Sequence, residues 1–400
     1  MTIDILNNPG LNRLNAITRF EAMLPKLGKS YAANRNFDRG KGKHGSVTIL
    51  SPWIRHRVIL EQEIVGRVLT AHGFFKAEKF IQEVFWRTYW KGWLEMRPSV
   101  WTDYLTERDQ ALLDLAEDNS LSNALAGETG IDCFDYWVQE LKETNYLHNH
   151  ARMWFASIWV FTLKLPWTIG ADLFMRFLLD GDPASNTLSW RWVAGLQTQG
   201  KNYLARAGNI EKYTEGRFNP QNKLSTVADP ISLSPHPDPI RLEFSNAVDP
   251  GIPSLLLVHE EDLGLDSLEI AAEDVVGVAI IQSTDDRAAG GVSESVSRFV
   301  AEGLKDAAGK FLNNANVPEY VGTNPDSIKA LYSQTCAQRL VTPYAPIGPT
   351  RSLLDQLEIG IGNPIHRVTR PWDQKCWPHA KKGFFGFKKK IPSLIQALCS

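Results

Sequence analysis

A change in the residue pattern near position 228 is the feature that most constrains the fold. Before it, apolar residues recur at helical spacing, as in Phe80–Trp93, and strand-like alternation is scarce. The segment Ala228–Ser254 is rich in Pro, Ser and Asp, which is typical of a linker or a long loop. We therefore predict a helical domain over residues 1–227, a Pro-rich linker over 228–253 and a second domain over 254–400.

The second domain has the pattern of alternating strands and helices. Short apolar runs of strand type occur at Leu255–His259 and Val275–Gln282, and helical patterns follow at Val296–Leu312 and Pro325–Arg339. Three further strands are predicted, at Val317–Val321, Leu340–Pro343 and Pro364–Val368. Such alternation indicates a parallel sheet. The predicted fold class is mainly α plus α/β, with an all-helical domain followed by a Rossmann-like parallel-sheet domain.

Composition and cysteine usage narrow the class of protein. Hydrophobic residues make up 43% and charged residues 22% of the chain, which is normal for a globular protein. The net charge of -2 excludes a uniformly basic protein that coats DNA, but it allows a local basic groove. The four Cys residues are far apart and form no CxxC pair, so we predict no metal site and a reducing, cytoplasmic environment.

No segment has the pattern of a membrane span or a secretory signal. The N-terminal residues lack a basic start followed by an apolar core. The apolar run Met153–Leu163 is shorter than the roughly 20 residues that a spanning helix needs. We interpret it as a buried core helix.

The most informative motifs lie between Thr144 and Trp192. They read TNYLHNHARM, then DGDPASN, then SWRW. This series resembles the flavin-binding core of DNA photolyases and cryptochromes, whose pattern is roughly TGWMHNRxRM, DGDxAxNN and GWQW. The order and the spacing of the blocks match, and Trp167 lies between them as in the family.

Three upstream blocks extend the resemblance over nearly all of residues 10–220. Gly10–Phe37 resembles the first helix of the family's FAD domain and its Tyr-xxx-Arg segment. Ser46–Ile54 resembles TSRLSPYL, which wraps the FAD phosphates, and Gln82–Trp90 resembles RELIWREFY. The resemblance implies a photolyase-type domain with FAD as its cofactor.

Four residues of Gln82–Trp90 share a helix face. Glu83, Trp86, Arg87 and Trp90 are spaced i, i+3, i+4 and i+7. Such a face can present a carboxylate, an aromatic wall and a cation to one cavity. From the spacing alone, an amphipathic core helix with a solvated Glu–Arg pair is the more common explanation.

The resemblance also implies roles for the DGD segment. Arg152 would pair with Asp180 over the isoalloxazine ring, Asp180 and Asp182 would accept hydrogen bonds from the ring and the ribose, and Asn186 would lie beside flavin N5. From the residues alone, the two carboxylates could instead be a helix N-cap and a first-turn acid. The implied cofactor-binding residues are Tyr31, Thr48, Ser51, Glu83, Arg87, Trp90, Asn149, Arg152, Asp180, Asp182 and Asn186.

Trp190 and Trp192 are two positions apart, so on a helix they point about 200° away from each other. By resemblance, Trp190 faces the flavin and begins an electron-transfer chain whose second member is Trp167. The third Trp of the family is missing, because the matching stretch Glu107–Leu115 contains none. Light-driven reduction of the flavin by the usual triad is therefore in question, although another Trp or Tyr could substitute.

The substrate residues follow from the same resemblance. Trp192 and Trp86 would stack on a flipped lesion, and Asn149 and Met153 would contact the damaged base. Glu83 would hydrogen-bond to the lesion or protonate it. The implied catalytic residues are Glu83, Asn149, Trp190 and Trp167.

The sequence departs from the family pattern at several phosphate contacts. His150 stands where the family has Arg, and we expect Lys201 and Arg206 to contact phosphate instead. The loop Arg39–Ser46 has glycines and cations suited to anions but is not a Walker A loop. Taken alone, it has the pattern of a mobile basic loop.

The second domain resembles the α/β antenna domain that precedes the FAD domain in the family. Ser254–Ile270 is similar to a strand followed by DLRLxDNxAL, with Gly264 in place of Arg, and Ser297–Ala307 is similar to RxxFLxESLxDL. This implies a circular permutation; an unrelated α/β domain is the alternative. No antenna pigment can be identified.

The tail Ala380–Pro392 mixes Lys with aromatics and could bind nucleic acid, or it could be a charged edge around a packed aromatic cluster.

Three functions are compatible with these motifs. The first is light-dependent repair of pyrimidine dimers by a deoxyribodipyrimidine photolyase-like lyase, with UV-damaged DNA as partner and the protein as a monomer. The second is a cryptochrome-like blue-light photoreceptor without repair activity. The third is a flavoprotein without a role for light.

Overall fold

The computed structural model describes residues 10–229, 231, 235–245, 248–268, 270–312 and 317–399. Part of the predicted linker, residues 230, 232–234, 246 and 247, lies outside them. In the described part before the linker, all regular elements are helical. The α-helices are α1 (Arg13–Met23), α2 (Lys29–Asn34), α3 (Ser51–Arg55), α4 (Glu61–His72), α5 (Phe74–Glu95), α6 (Ser99–Asp114), α7 (Asn119–Ala126), α8 (Asp132–Thr144), α9 (Asn149–Ser157), α10 (Trp167–Phe177), α11 (Pro183–Val193) and α12 (Ala207–Tyr213).

The predicted core helix around Met153–Leu163 is confirmed. Helix α9 continues into one π-helical turn, Ile158–Thr162, and the residues from Trp154 to Phe161 are buried. Among the described residues, no helix is both long enough and apolar enough to cross a bilayer. Helix α8 ends before this segment because Asn145 adopts a left-handed conformation, with φ at 55°.

The second half is a five-stranded parallel sheet with helices around it, as predicted. All five predicted strands are confirmed, as β1 (Ser254–Val258), β2 (Val275–Ile280), β3 (Glu319–Val321), β4 (Arg339–Pro343) and β5 (Ile365–Val368). The order across the sheet is β3-β2-β1-β4-β5, so the fully buried β1 lies at its centre. The helices of this half are α13 (Glu294–Leu312), α14 (Pro325–Gln334), α15 (Pro349–Ile361), α16 (Pro371–Cys376), α17 (Phe384–Lys388) and α18 (Ile391–Leu398).

One helix boundary differs from the prediction. Helix α14 ends at Gln334, whereas the pattern predicted helix up to Arg339. Cys336 has a φ of 54°, which turns the chain, and Arg339 already begins β4. A left-handed residue other than Gly has no reliable signature in the sequence.

The two halves share one hydrophobic core. Leu11 of the helical half packs on Gly303 of α13, where an added Cβ would lie 2.4 Å from Leu11 Cδ2. Gly92 of α5 packs on the backbone of Trp377 in the same way, with an added Cβ 2.8 Å from its Cα atom. Only Gly allows these close approaches, so both contacts require a residue without a side chain at positions 92 and 303.

The carboxyl end of β1 is filled by side chains from the helical half. Arg55 Nη1 of α3 donates to Glu261 Oε2 over 2.8 Å, and Tyr344 beyond β4 donates to Glu95 of α5 over 2.6 Å. In open parallel sheets, ligands bind where the strand order reverses, which here is between β1 and β4. Since α3 and α5 dock at that edge, their side chains occupy the place where a ligand would bind to an open sheet.

The first and last described helices both contact the start of α4. Arg13 of α1 donates to Glu63 over 2.9 Å, and the side chain of Gln62 donates to the carbonyl of Leu398 in α18. The two ends of the described chain therefore meet at consecutive residues.

Candidate functional site

Helix α5 presents the predicted face to the start of α11. Arg87 Nη1 lies 3.8 Å and Lys91 Nζ 3.3 Å from Asp182 Oδ2, the residue before α11. The rings of Trp86 and Trp90 are in contact, with centroids 5.2 Å apart. The shared face is therefore observed, and Lys91 extends it by one turn.

Glu83 pairs with Arg35 rather than with Arg87. Arg35 Nη1, just after α2, lies 2.8 Å from Glu83 Oε1, and both side chains are partly exposed. Burial raises the pKa of Glu83, although the nearby charges of Arg35 and Lys79 act in the opposite direction. An accessible carboxyl group with a raised pKa is suited to hold a proton and to donate it.

The turn that carries Asp180 is held from two sides. Asp180 Oδ1 lies 3.0 Å from Arg152 Nη2, which is the ion pair that the family pattern implied. Burial alone would raise the pKa of Asp180, but the charges of Arg152 and Arg87, together with a hydrogen bond from Ser51, lower it below its usual value. Arg287 of the second half donates to the carbonyls of Gly181 and Met175, over 3.2 and 2.7 Å.

Asp182 has two roles at once. Its Oδ1 atom accepts a hydrogen bond from Ser185 N over 2.7 Å, so Asp182 is the N-cap of α11. Its Oδ2 atom faces the cations of α3 and α5. Burial would raise the pKa of Asp182, but Lys91 and Arg55 outweigh burial and hold it well below its usual range. The N-cap interpretation is thus correct for Asp182. The cap uses only Oδ1, so Oδ2 is available to another partner.

Asp182 belongs to a buried cluster of charges to which both halves contribute. Arg55 Nε is 3.7 Å from Asp182, and Lys91 Nζ is 3.7 Å from Glu261 at the end of β1. All four side chains are at least 95% buried. Buried charges are tolerated only when they are paired, so each half depends on the other here.

Asn186 and Asn149 differ in accessibility. Asn186 is buried in α11, and its Nδ2 atom donates to the carbonyl of Ala171 over 2.8 Å. Asn149 is exposed at the first turn of α9, and Met153 is half-buried one turn later. Asn149 and Met153 are therefore on an accessible helix face, whereas Asn186 is fixed within the protein.

Trp190 and Trp192 point to opposite sides of α11. Trp190 is buried against Phe174, with ring centroids 5.1 Å apart, and against Gly170, where an added Cβ would lie 2.4 Å from its Cη2 atom. Trp192 is half-buried and stacks on Tyr203, with centroids 5.7 Å apart.

A tyrosine lies next to Trp167 where the sequence comparison found no third Trp. The rings of Trp167 and Tyr104 are 5.6 Å apart, and Trp101 is a further 5.2 Å beyond Tyr104. Tyr104 precedes the stretch Glu107–Leu115 in which a Trp was sought. Its position on the preceding turn of α6 explains why matching by sequence missed it.

Trp86 is covered on one side by the C-terminal tail. The rings of Trp86 and Phe384 are stacked, with centroids 3.5 Å apart and an angle of 11° between their planes. Phe384 and Phe387 are both buried, so the packed aromatic cluster considered for the tail is present. Trp86 and Trp192 were expected to sandwich a lesion. Because Phe384 covers one face of the Trp86 ring, only the other face and the ring edge remain for that role.

The remaining predicted residues lie around this site. Tyr31 is buried against Phe80, with ring centroids 5.3 Å apart, and the half-buried Thr48 accepts a hydrogen bond from Arg19 through its carbonyl. Lys201 and Arg206 are exposed and therefore accessible to phosphate.

His150 is a packed residue. Its ring stacks on Trp154 with centroids 4.1 Å apart, and its Nδ1 atom hydrogen-bonds to the carbonyl of Asn36. Burial lowers the pKa of His150, so the ring is not a cation available to phosphate.

Several side chains of the loop Arg39–Ser46 contact acidic residues. Arg39 pairs with Glu215 at 3.1 Å and Lys41 with Glu143 at 2.7 Å. His44 is buried 3.2 Å from Glu140. Two cations of this basic segment, Arg39 and Lys41, therefore have acidic partners elsewhere in the fold.

Comparisons with known proteins find similarity to DNA photolyases. Residues 80–224 match the family model described as the FAD binding domain of DNA photolyase. The deoxyribodipyrimidine photo-lyase of Alkalihalophilus pseudofirmus is 29% identical over 191 residues, or 48% of this chain and 39% of that protein. The enzyme of the same name from Thermus thermophilus is 35% identical over 191 residues, or 46% of this chain and 42% of that protein.

The helical half of the chain is therefore similar to the FAD binding domain of DNA photolyases. The chain spans about two fifths of the length of these curated relatives. A bacterial class III photolyase from Agrobacterium tumefaciens is a structural neighbour, with 22% identity and a TM-score of 0.43 over 51% of this chain and 43% of that one. These matches do not test the permuted order of the two halves, which stays a prediction.

FAD is the cofactor of this photolyase-type domain, and the residues present fit it. Within the described residues, Arg87 Nη1, Asp182 Oδ2 and Ser185 Oγ are buried without a hydrogen-bond partner. Leaving such groups unsatisfied costs free energy. A flavin ring carries both N–H and carbonyl groups, so it can satisfy donors and acceptors of this kind.

Four residues that the sequence comparison did not single out contribute to the site. They are Arg35, Arg55, Lys91 and Glu261. Arg35 lies in the Tyr-xxx-Arg segment, and its spacing from Tyr31 could have identified it. For Arg55 and Glu261, which are 206 positions apart, no local signal exists.

Proposed function

We propose that this protein binds FAD and uses light to split pyrimidine dimers in DNA, as a photolyase-like lyase. The observation that carries the proposal is the arrangement on α5. Glu83, an accessible acid with a raised pKa, lies one helical turn from Arg87, which reaches Asp182 at the proposed flavin pocket. A proton donor is thus placed beside the proposed cofactor site at a surface that a base could reach.

The protein's part in the reaction is positioning and proton control. FAD, when bound in its reduced form, supplies upon light absorption the electron that opens the dimer. The Arg152–Asp180 ion pair would fix the polar side of the pocket, with Tyr31, Thr48, Ser51 and Asn186 completing the cofactor contacts. Glu83 would hold a proton at the carbonyl oxygen of the dimer, and Asn149 would orient the ring.

Lesion recognition would rest on stacking and phosphate contacts. A dimer is already poorly stacked, so extruding it from DNA costs less than flipping an intact base. Trp192 and the accessible edge of Trp86 would contact the extruded bases, together with Met153. Lys201 and Arg206 would bind phosphate, which predicts an affinity that falls with salt.

A comparison of two Glu83 variants tests the proposal. Reduced protein is given an oligonucleotide with a thymine dimer, in blue light or in darkness, and intact thymine is measured. We expect repair only in light and a loss of about 10²-fold or more in Glu83→Ala, because general-acid catalysis contributes that much. Glu83→Gln keeps a hydrogen-bond donor and should retain part of the activity.

The pH dependence has a defined sign. Glu83 is active in its protonated form, so the repair rate should fall as the pH rises through its raised pKa. The rate of Glu83→Gln should not change over that range. Equal repair by the wild type and Glu83→Ala, or repair in darkness, would contradict the proposal.

A blue-light photoreceptor is the second candidate, and two observations favour it. Phe384 covers part of Trp86, and His150 is packed against Trp154 instead of being available to phosphate. A receptor of this kind would respond to light with intact flavin photochemistry but would not change damaged DNA. Light-induced spectral changes without loss of dimers would favour this candidate.

The domain boundaries and the permuted order are also proposals. The central position of β1 and the contacts of the first and last described helices with Glu63 and Gln62 support them, because permutation requires the joined segments to lie close together. A chain in which residues 254–399 precede residues 10–253 through a short linker should fold and bind FAD. Failure of that chain to bind FAD, while the natural order binds it, would argue for an unrelated second domain.

A further inference from the structure

The C-terminal tail contains an exposed turn with an unusual composition. We call Lys381–Lys390 the lysine-rich turn. It contains five lysines, Lys381, Lys382, Lys388, Lys389 and Lys390, and no acidic residue. Phe385, in the middle of the turn, is 81% exposed.

The turn is held firmly against α5. Phe387 packs on Phe85 and Tyr89, with ring centroids 6.1 and 5.6 Å apart. The hydroxyl of Tyr89 donates to the carbonyl of Lys382 over 2.9 Å. Arg97 Nη2 donates to the carbonyl of Lys381, also over 2.9 Å. These contacts fix the backbone of the turn, so its exposed side chains have a defined place.

The lysine-rich turn lies next to residues that we propose contact the lesion. Phe384 stacks on Trp86, and Trp86 lies three residues from Glu83 on the same helix. Residues at this spacing are neighbours on a helix surface. The lysine-rich turn therefore borders the side of α5 from which a base would reach Glu83.

The charges of the turn are largely uncompensated. Lys388 pairs with Glu78 at 3.2 Å. The other four lysines form no ion pair with any residue that the structure describes. A lone exposed Phe is common on protein surfaces. An exposed aromatic ring between unpaired cations matches the way proteins bind single-stranded nucleic acids, by stacking on bases and pairing with phosphates.

We propose that the lysine-rich turn binds the unpaired DNA next to an extruded lesion. Phe385 stacks on a base, and Lys389 and Lys390 bind the phosphates. This inference deepens the proposed function, because it assigns the DNA strand a path from the pocket over α17. An unpaired strand is required, since the bases of an intact duplex have no free face for Phe385.

The test compares exposed residues on and off the turn. The affinity of the full chain for a single-stranded oligonucleotide, with or without a thymine dimer, is measured over a range of salt concentrations. In Phe385→Ala we expect about 5- to 150-fold weaker binding of both oligonucleotides, because base–aromatic stacking contributes about 1–3 kcal/mol. In Lys389→Ala/Lys390→Ala, the slope of log affinity against log salt should be lower by about 1.4, since each single-strand phosphate contact contributes about 0.7.

Matched controls separate this role from stability. Ile359→Ala removes another exposed apolar side chain, 83% exposed on α15, and Lys329→Ala removes an exposed cation on α14. Both controls should bind like the wild type, and all variants should keep their thermal stability and FAD content. Unchanged affinity in Phe385→Ala and an unchanged slope in the Lys variant would overturn the inference.

The outcomes also distinguish this inference from the proposed function. Light-dependent repair by the wild type, with turn variants that bind equally well, would overturn the inference alone. Turn-dependent binding without repair would support the inference and contradict the proposed function. No binding of any oligonucleotide by the wild type would overturn both.

Discussion

Asp182 shows how one carboxylate can serve both the fold and the site. Oδ1 caps α11 through Ser185 N, and Oδ2 faces Lys91 and Arg55. A cap needs only an acceptor, which Asn also provides. Balancing two buried cations needs a charge. The two roles can therefore be separated by substitution.

Asp182→Asn should keep the cap and lose the charge. We expect the free energy of unfolding to fall by about 3 kcal/mol, because a buried ion pair is broken, and the FAD affinity to fall as well. Asp182→Ala should cost about 1 kcal/mol more, for the lost cap. Asp118→Ala, which removes the N-cap of α7, should cost about 1 kcal/mol without affecting FAD binding. Urea unfolding and titration of the FAD-free protein with FAD would measure both quantities.

The same residue predicts how stability depends on pH. The pKa of Asp182 in the folded chain lies below the value of about 3.9 that applies when it is unfolded. Its stabilising contribution is therefore complete above about pH 4 and is lost as the pH falls further. Between pH 5 and pH 3, the free energy of unfolding of Asp182→Asn should fall less than that of the wild type. Parallel decreases in the two proteins would contradict this assignment.

At the scale of elements, α6 and α10 bring Tyr104 next to Trp167. The buried Tyr104 hydroxyl has a pKa that burial and the charge of Asp172 raise, so Tyr104 stays protonated unless it is oxidised. With Trp190 packed against α10 at Gly170, three oxidisable rings are distributed over α11, α10 and α6. This arrangement offers a tyrosine in place of the missing third Trp.

Tyr104→Phe tests that substitution. The ring and its packing remain, so we expect a stability change of about 1 kcal/mol or less, whereas flavin photoreduction under blue light with an external reductant should slow markedly. Tyr332→Phe on α14, in the second half of the chain, is the control for loss of a tyrosine hydroxyl. If both variants photoreduce like the wild type, Tyr104 takes no part in electron supply.

At the scale of the whole molecule, the two halves form one unit because their charges are mutually buried. Arg55 and Lys91 meet Glu261, and Arg57 meets Asp262 and Asp373 at 3.3 and 2.6 Å. Removing one acidic member of such a set leaves buried cations with one partner fewer. The second half is therefore part of the environment of the proposed flavin site.

Glu261→Gln tests this dependence. We expect a loss of about 3–5 kcal/mol in the free energy of unfolding and weaker FAD binding, since Arg55 and Lys91 lose a partner. Glu358→Gln removes the partly exposed partner of Arg367 and should cost less than about 1 kcal/mol. Normal FAD affinity in Glu261→Gln would show that the second half does not influence the site.

The sequence predicted the elements and the motif residues better than their partners. The strands β1 and β2 were predictable because each is a short apolar run, and the other three because they alternate with helical patterns. The Arg152–Asp180 pair followed from the resemblance. In contrast, the stacking of Phe384 on Trp86 joins segments that are distant in sequence, as does the Arg55–Glu261 pair, and neither leaves a local pattern. Residues that become neighbours only through tertiary packing were the ones that sequence reasoning missed.

The burial of Arg55 against Glu261 has a consequence for biosynthesis. The arginine leaves the ribosome 206 residues before its acidic partner. At about 5–20 residues per second, that interval lasts roughly 10–40 s. During this time Arg55 and Lys91 gain Asp182 but lack their second acidic partner, so we expect the surroundings of Asp182 to be completed only when the central strand of the sheet has been made. Cofactor loading should then follow, rather than accompany, translation of the first half.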